Sequence, residues 1–246
     1  MERTLILFAA VLFGVLAGAA SRADVPPTDR VQLARTEELK GDSARVRNNN
    51  LEAVYHYRSA LRINNQNSAL LNKLGVAELQ TGDRGAARKH LNQAVKVDPR
   101  NVPAWNNLGV LACLERKYSA AVRYLKSALA LQEANASAHL NMAEAWFGLG
   151  EVDRAMTEYT RALELDADIL SSNPGAVVAH VSTPEQRARV AFTIAKAYAK
   201  RGNLEGALEY LRRAKEGNFP DLKKVYTDQT FAALWDDPRL QQIVKR

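Results

Sequence analysis

Histidine is the side chain best suited to acid–base catalysis near neutral pH and to metal binding. The four histidines of this chain, His56, His90, His139 and His180, lie far apart and show none of the short spacings of zinc ligands. We expect the first three to pack or to face solvent. The sequence also lacks a phosphate loop, a dinucleotide fingerprint, a nucleophile elbow and an HExxH segment.

These observations predict no catalytic residues, no bound metal and no cofactor. One enzyme hypothesis remains, a hydrolase with His180 as its base, but no neighbouring residue in the sequence orients that histidine. The single cysteine, Cys113, excludes an intramolecular disulfide and a thiolate metal cluster. Its helical surroundings favour a small core residue over a nucleophile.

The amino terminus has the three-part layout of a bacterial secretory signal peptide. Arg3 precedes an apolar run over residues 5–20, and small residues follow. Cleavage is predicted after Ala19 or Ala23, with residues 1–23 as the preferred signal peptide and 24–29 as a linker. The apolar run is shorter than the roughly 20 residues that span a bilayer. A retained anchor nevertheless stays an alternative.

A pattern of small and large apolar residues recurs with a period of 34 residues. A glycine is followed five residues later by an alanine, then by a large apolar residue and a second alanine. Complete instances are Gly82, Ala87, Leu91 and Ala94; Gly150, Ala155, Tyr159 and Ala162; and, after an interruption, Gly202, Ala207, Leu211 and Ala214. A fixed period of this length is the signature of a repeat architecture.

Each unit is predicted to be a helical hairpin, because apolar residues return at three- and four-residue intervals on both sides of a short turn. In the unit 68–101, Gly82 lies at the turn, where glycine adopts the left-handed conformation without steric cost. Pro99 then ends the second helix. The alanines allow two helices to approach closely, and the large residues fill the adjoining hollows.

This pattern resembles the tetratricopeptide repeat. In the unit 102–135 the signature positions are occupied by Trp105, Leu108, Gly109, Ala121, Leu125 and Ala128. Ala112 replaces the usual tyrosine there, and Arg116 replaces the turn glycine. In the unit 136–169, His139 replaces the usual tryptophan, and the residues in register are Ala143, Trp146, Gly150, Ala155, Tyr159 and Ala162. The resemblance implies an all-α, right-handed superhelical solenoid of about five hairpins.

The predicted organisation places repeats near 30–67, 68–101, 102–135, 136–169 and 188–221. Residues 170–187 are interpreted as an irregular insertion, because Pro174, Gly175 and Pro184 break the 34-residue phase. Another insertion is expected around residues 42–50 of the degenerate first repeat. Apolar residues within 222–246, such as Phe231, predict capping helices over the carboxy-terminal end of the solenoid.

The resemblance implies that the first helices of the repeats line a concave groove for a peptide or helix of a partner protein. Asn72, Asn107 and Asn141 can each donate and accept, and so could hold an extended backbone while Phe147 and Phe192 contact apolar side chains. Equally, asparagine at this repeat position often only supports the scaffold. The predicted groove residues are Asn72, Lys73, Asn106, Asn107, Val110, Leu140, Asn141, Glu144, Phe147, Arg189, Phe192, Lys196 and Lys200.

The formal net charge of +7 favours acidic partners. In the groove, the cations of repeat five together with Lys73 predict a positive surface that Glu144 only partly offsets, which suggests an acidic ligand segment. The alternative is that these cations are ordinary solubilising residues. Nucleic-acid binding is not expected, because the aromatic residues follow the repeat and are not interleaved with clustered basic residues.

The sequence therefore predicts a non-catalytic scaffold or adaptor of the cell envelope, periplasmic or secreted, that binds a protein and no small-molecule substrate. The alternative is a membrane-anchored assembly factor of an envelope complex that keeps its amino-terminal helix. Membrane contact is expected only in that second case.

Overall fold

The computed structural model describes residues 27–166, 168–169 and 183–245. The predicted signal peptide, most of the predicted insertion and His180 lie outside these ranges. The described chain is helical and contains no strand. Its helices are α1 (Pro27–Val46), α2 (Asn50–Ile63), α3 (Ser68–Gln80), α4 (Arg84–Val97), α5 (Val102–Leu114), α6 (Tyr118–Leu131), α7 (Ala136–Gly148), α8 (Val152–Leu165), α9 (Pro184–Lys200) and α10 (Leu204–Glu216).

Consecutive helices pair into five hairpins, and each hairpin packs against the next one along the chain. Short turns join the two helices of a hairpin, so the helices run antiparallel. The all-α solenoid predicted from the 34-residue period is confirmed. Asparagine or aspartate caps most of these helices: the side chains of Asn67, Asn101 and Asn135, for example, accept hydrogen bonds from the backbone of the first turns of α3, α5 and α7.

The hairpins are held together by small residues that face large ones. Leu91 and Leu125, on the second helices, are fully buried. Gly75 and Gly109 lie beneath them on the first helices. A Cβ atom built at Gly109 would lie 2.5 Å from Cγ of Leu125, far inside van der Waals contact. The glycines therefore set how closely the two helices of a hairpin approach.

The turns between paired helices share one backbone conformation. Asn48, Gly82, Arg116 and Gly150 all have positive φ, from 58° to 86°, and are spaced 34 residues apart. Arg116 thus adopts the same left-handed conformation as the glycines that it replaces. Replacing the turn glycine by Arg116 therefore raises the conformational free energy of the turn but does not change its shape.

The first repeat differs from the sequence prediction. The expected insertion around residues 42–50 is absent, because α1 continues to Val46 and a three-residue turn leads into α2. The helix also begins at Pro27, inside the predicted linker. Leu33 occupies the position at which Asn67 caps α3, so α1 extends by two turns beyond the start of its counterparts.

The carboxy-terminal end of the solenoid is covered by three short elements. They are the 3₁₀ helices η1 (Leu222–Tyr226) and η2 (Gln229–Leu234) and the helix α11 (Pro238–Ile243). Their buried residues Phe231, Leu234 and Leu240 pack in one cluster with Leu208 and Leu211 of α10. This segment shields apolar surface of the last hairpin that would otherwise contact water.

Candidate protein-interaction surface

The predicted asparagine ladder consists of two hydrogen-bonded pairs. Asn107 Nδ2 donates to Asn72 Oδ1 at 2.8 Å, and Asn141 Nδ2 donates to Asn106 Oδ1 at 2.9 Å. All four residues are half-buried. Each bond joins the first helices of adjacent repeats, so the asparagines connect α3, α5 and α7 along one face.

These two bonds do not use up the hydrogen-bonding groups of the asparagines. In the pair of Asn72 and Asn107, the bond employs one carbonyl oxygen and one N–H. The Asn72 amide group and the Asn107 carbonyl oxygen take no part in it. The second pair is arranged in the same way. Each pair can therefore support the scaffold and still offer a donor and an acceptor to a ligand.

Lys73 extends the same line of contacts to the first repeat. Its Nζ lies 2.7 Å from Glu38 Oε1 and 2.7 Å from Asp42 Oδ2, and Tyr57 Oη donates to Asp42 Oδ1 at 2.7 Å. Burial raises the pKa of Asp42, but the hydrogen bonds from Lys73 and Tyr57 outweigh burial and lower the pKa below its ordinary value. The Asp42 carboxylate is therefore held in its charged form.

The cations predicted to make the groove positive are each paired with a carboxylate. Arg189 lies 2.8 Å from Asp153 of α8, Lys196 lies 2.6 Å from Asp228 of the cap, and Lys200 lies 3.4 Å from Glu164 of α8. With Lys73, all four predicted groove cations are compensated by neighbours. The expected excess of positive charge at these positions is absent, and with it the reason for an acidic ligand in the groove.

Two predicted groove residues belong to the core. Leu140 is 2 % exposed and Phe147 is 7 % exposed, and both pack in a cluster with Ile194. They are therefore not available to contact a partner. Phe192 is half-buried and stacks on Phe219, with ring centroids 4.7 Å apart, so it also serves the packing of the last repeat.

Val110 and Glu144 lie half-buried on the first helices of the third and fourth repeats. Burial raises the pKa of the Glu144 carboxyl above its ordinary value. Burial, together with the charge of Glu144, also raises the pKa of Cys113 to about 12. The thiol is consequently protonated near neutral pH, and Cys113 is the small core residue that the sequence predicted.

Three histidines form hydrogen-bonded pairs with glutamates, a feature that sequence reasoning missed. Among the described residues no group of three side chains is placed to hold a metal ion. The pairs are His56 with Glu37 at 2.8 Å, His90 with Glu78 at 2.7 Å and His139 with Glu158 at 2.6 Å. Such pairs give the histidines a packing role between helices. The 34-residue spacing of His56 and His90 places them at equivalent repeat positions, and this spacing was the sequence feature that could have indicated a shared packing role.

Comparison with protein-family models agrees with the fold. A tetratricopeptide-repeat model matches residues 47–109 and 114–179, more than half of the chain, and a second tetratricopeptide-repeat model matches residues 188–216. The chain belongs to the tetratricopeptide-repeat family. Proteins built from tetratricopeptide repeats are generally non-catalytic scaffolds that bind other proteins, and this chain has the architecture of such a scaffold.

Solved structures share this fold at low sequence identity. The similar structures include PilF of Pseudomonas aeruginosa (TM-score 0.56, 19% identity, covering 83% of this chain and 90% of PilF). MamA of Desulfovibrio magneticus RS-1 has a TM-score of 0.53 and 18% identity, covering 76% of this chain and 94% of that structure. The thermophilic protein TTC0263 of Thermus thermophilus has a TM-score of 0.51 and 20% identity, covering 82% and 97%. At these identities the likeness shows the fold alone. The search of curated proteins finds no match.

Within residues 27–166, 168–169 and 183–245, no helix combines the length and the apolar character that crossing a bilayer requires.

Proposed function

We propose that this protein is a non-catalytic adaptor that holds a segment of a partner protein in extended form against the concave faces of α3, α5 and α7. The observation that carries the proposal is the arrangement of the two asparagine pairs. Each pair fixes adjacent repeats and leaves the NH₂ group of one asparagine and the carbonyl oxygen of the other uncommitted by its bond. An extended peptide backbone presents alternating N–H and C=O groups that match such a row.

The chemistry of this surface favours a ligand segment of low charge. Its centre is made of amides and Val110, and the flanking Lys73 is already compensated by Glu38 and Asp42. An acidic segment would meet no uncompensated cation at the four positions named above. Main-chain hydrogen bonds would supply affinity, and apolar contact with Val110 would contribute to specificity.

We further propose that the adaptor works in the cell envelope of a bacterium, because residues 1–23 have the layout of a signal peptide. The alternative is an assembly factor that keeps the apolar run of residues 5–20 as an anchor. Amino-terminal sequencing of the protein isolated from cells separates the two. A first residue at Ala20 or Asp24 supports export with cleavage, and an intact Met1 supports the anchor.

Affinity capture from envelope extract tests the binding surface. The baits are the chain from Asp24, a Val110→Arg variant that blocks the concave face, and an Ala130→Arg variant that places the same side chain on the exposed face of α6 in the same hairpin. We expect one protein to be retained by the wild type and by Ala130→Arg but lost from Val110→Arg. Retention by all three baits would move the binding site away from the concave face.

A further inference from the structure

The first hairpin exposes most of the large apolar side chains that the described chain leaves in solvent. Of nine such residues, six lie on α1 and α2: Val31, Leu33, Leu39, Val46, Leu51 and Tyr55. The carboxy-terminal end of the solenoid is covered by the cap, whereas no described element covers the outer side of this hairpin. An apolar surface concentrated at one end of a solenoid marks an interaction site.

Comparison with the other repeats shows that this surface is particular to the first one. Tyr55 is exposed on α2, where the corresponding positions of the next two repeats hold the exposed cations Lys89 and Arg123. Leu51 likewise corresponds to the exposed Gly85 and Ser119. Outward positions that are polar or small elsewhere are thus apolar here, and the repeat pattern does not account for them.

Two of these apolar residues, Leu33 and Tyr55, line a groove beside the extension of α1. Residues 27–33 continue the helix by about 10 Å beyond the start of its counterparts. An open cavity of about 410 Å³ lies between α1 and α2, and it is lined by Arg30, Leu33, Glu37, Tyr55, Ser59, Arg62 and Ile63. A second cavity of about 290 Å³ lies between α2, α3 and α4, and its lining includes Arg58, Arg62 and Leu61.

Arginine side chains line both cavities. Arg62 lines both cavities and forms no ion pair or hydrogen bond within the described part of the chain. Arg58, which lines the smaller cavity, is paired with the buried Glu78 at 2.7 Å and is therefore compensated. The acidic residue of the larger cavity, Glu37, already contacts Lys40 and His56. Arg62 is therefore available to a carboxylate from outside.

We infer that this amino-terminal surface is a second docking site, and that its occupant is an acidic amphipathic helix of a partner protein. A helix fits because grooves between packed helices receive the side-chain ridge of a third helix. Its apolar side chains contact Leu33, Tyr55 and Ile63, and an acidic side chain contacts Arg62. The acidic partner that the sequence suggested for the concave face is thus assigned to Arg62 at the end of the solenoid. This site is independent of the concave face and of the ligand proposed for it.

The test is an array of acidic amphipathic 15-residue peptides, paired with copies in which every acidic residue is replaced by lysine. The array is probed with the full 246-residue chain, and fluorescence anisotropy measures the affinity of the retained peptides. We expect binding to acidic peptides and not to their lysine copies. Arg62→Glu should weaken binding about five- to tenfold. Lys96→Glu, the same change at the corresponding exposed position of the second repeat, should leave it unchanged.

Tyr55→Lys, which restores the residue type of the second repeat, should weaken binding about tenfold, and circular dichroism checks that each variant stays folded. The inference is overturned if no acidic peptide binds, if the lysine copies bind equally well, or if Lys96→Glu weakens binding as much as Arg62→Glu. It is also overturned if deleting residues 1–23 is required for binding, since the chain's own segment would then be the occupant. A dimer that Tyr55→Lys dissociates would identify a second copy as the occupant instead.

Discussion

Single residues set the spacing and the alignment of the repeats. The bonds between Asn72 and Asn107 and between Asn106 and Asn141 align the first helices. Gly75 and Gly109 set the distance between the helices of a hairpin. The hydrogen bonds and the glycine contacts are both short. Adding or removing a single atom at either is therefore expected to alter the stability of the fold.

Gly109→Ala tests the close contact inside the third hairpin. The added methyl group would overlap Leu125, whose side chain is fully buried and cannot move into solvent. We expect a loss of about 1–3 kcal/mol in the free energy of unfolding, measured in urea. Gly85→Ala is the control, because its Cβ would lie 3.6 Å from the nearest atom on an exposed helix. A Gly109→Ala variant as stable as the wild type would contradict this account of the hairpin.

The contact of Lys73 with Asp42 predicts a dependence of stability on pH. The pKa of Asp42 is lower in the folded chain than in the unfolded chain, so its ionised form stabilises the fold above about pH 4. This stabilisation is lost as the pH falls from there through the folded pKa. Between pH 5 and pH 3, the free energy of unfolding should therefore fall more steeply for the wild type than for Asp42→Asn. Parallel curves for the two proteins would show that Asp42 is not ionically held.

At the scale of helices and turns, the 34-residue period is seen in the backbone conformation of the turns as well as in the packing of the helices. Asn48, Gly82, Arg116 and Gly150 adopt the same left-handed conformation although their side chains differ. The sequence identified Arg116 as a departure from the pattern but could not show whether the turn changes shape. The structure shows that these four turns follow the same path, because the paired helices on both sides of each turn are fixed by the core.

Arg116→Gly is expected to stabilise the third hairpin. A side chain at φ 58° costs free energy that glycine avoids, and the greater freedom of glycine in the unfolded chain offsets part of the gain. We expect a net increase of about 0.5–1 kcal/mol in the free energy of unfolding. The reverse exchange, Gly82→Ala at φ 86°, should destabilise by about the same amount. A destabilised Arg116→Gly variant would indicate that the arginine side chain makes a contact of its own.

For the whole molecule, the cap and the first hairpin give the two ends of the solenoid different properties. Because each repeat contacts mainly its neighbours, a local loss of stability should stay near its origin. Phe231→Ala removes a fully buried aromatic residue from the cap, at a cost of about 3–5 kcal/mol. Hydrogen exchange should then become faster in α9 and α10, with little change in α1 to α4. Uniformly faster exchange would show that the solenoid unfolds as one unit.

The fold was predictable because its information is local and repeated. Three features predict the same hairpin in successive repeats: the period, the alternation of small and large residues, and the turn glycines. The continuous helix α1 was missed because Asp42, Ser43 and Asn48 are typical of a loop, whereas the contact of Asp42 with Lys73 and Tyr57 stabilises this part of the helix.

The candidate surface was only partly predictable. Position in the repeat placed the asparagines correctly on the first helices but could not show that they bond to each other across 35 residues. The partners of the groove cations, such as Asp153 and Asp228, come from other elements of the chain. Leu140 and Phe147 are buried in a cluster formed by α8 and by Val190 and Ile194 of α9, which lies beyond the interruption of the repeat.

The proposed binding of a partner on the concave face is tested most directly by site-specific photo-crosslinking in cells. A photoreactive amino acid replaces Val110 on the concave face or, in a separate strain, Ala130 on the exposed face of α6. The account predicts a discrete crosslinked product with one protein from position 110 and none from position 130. A product from position 130 alone, or from neither position, would contradict binding on the concave face.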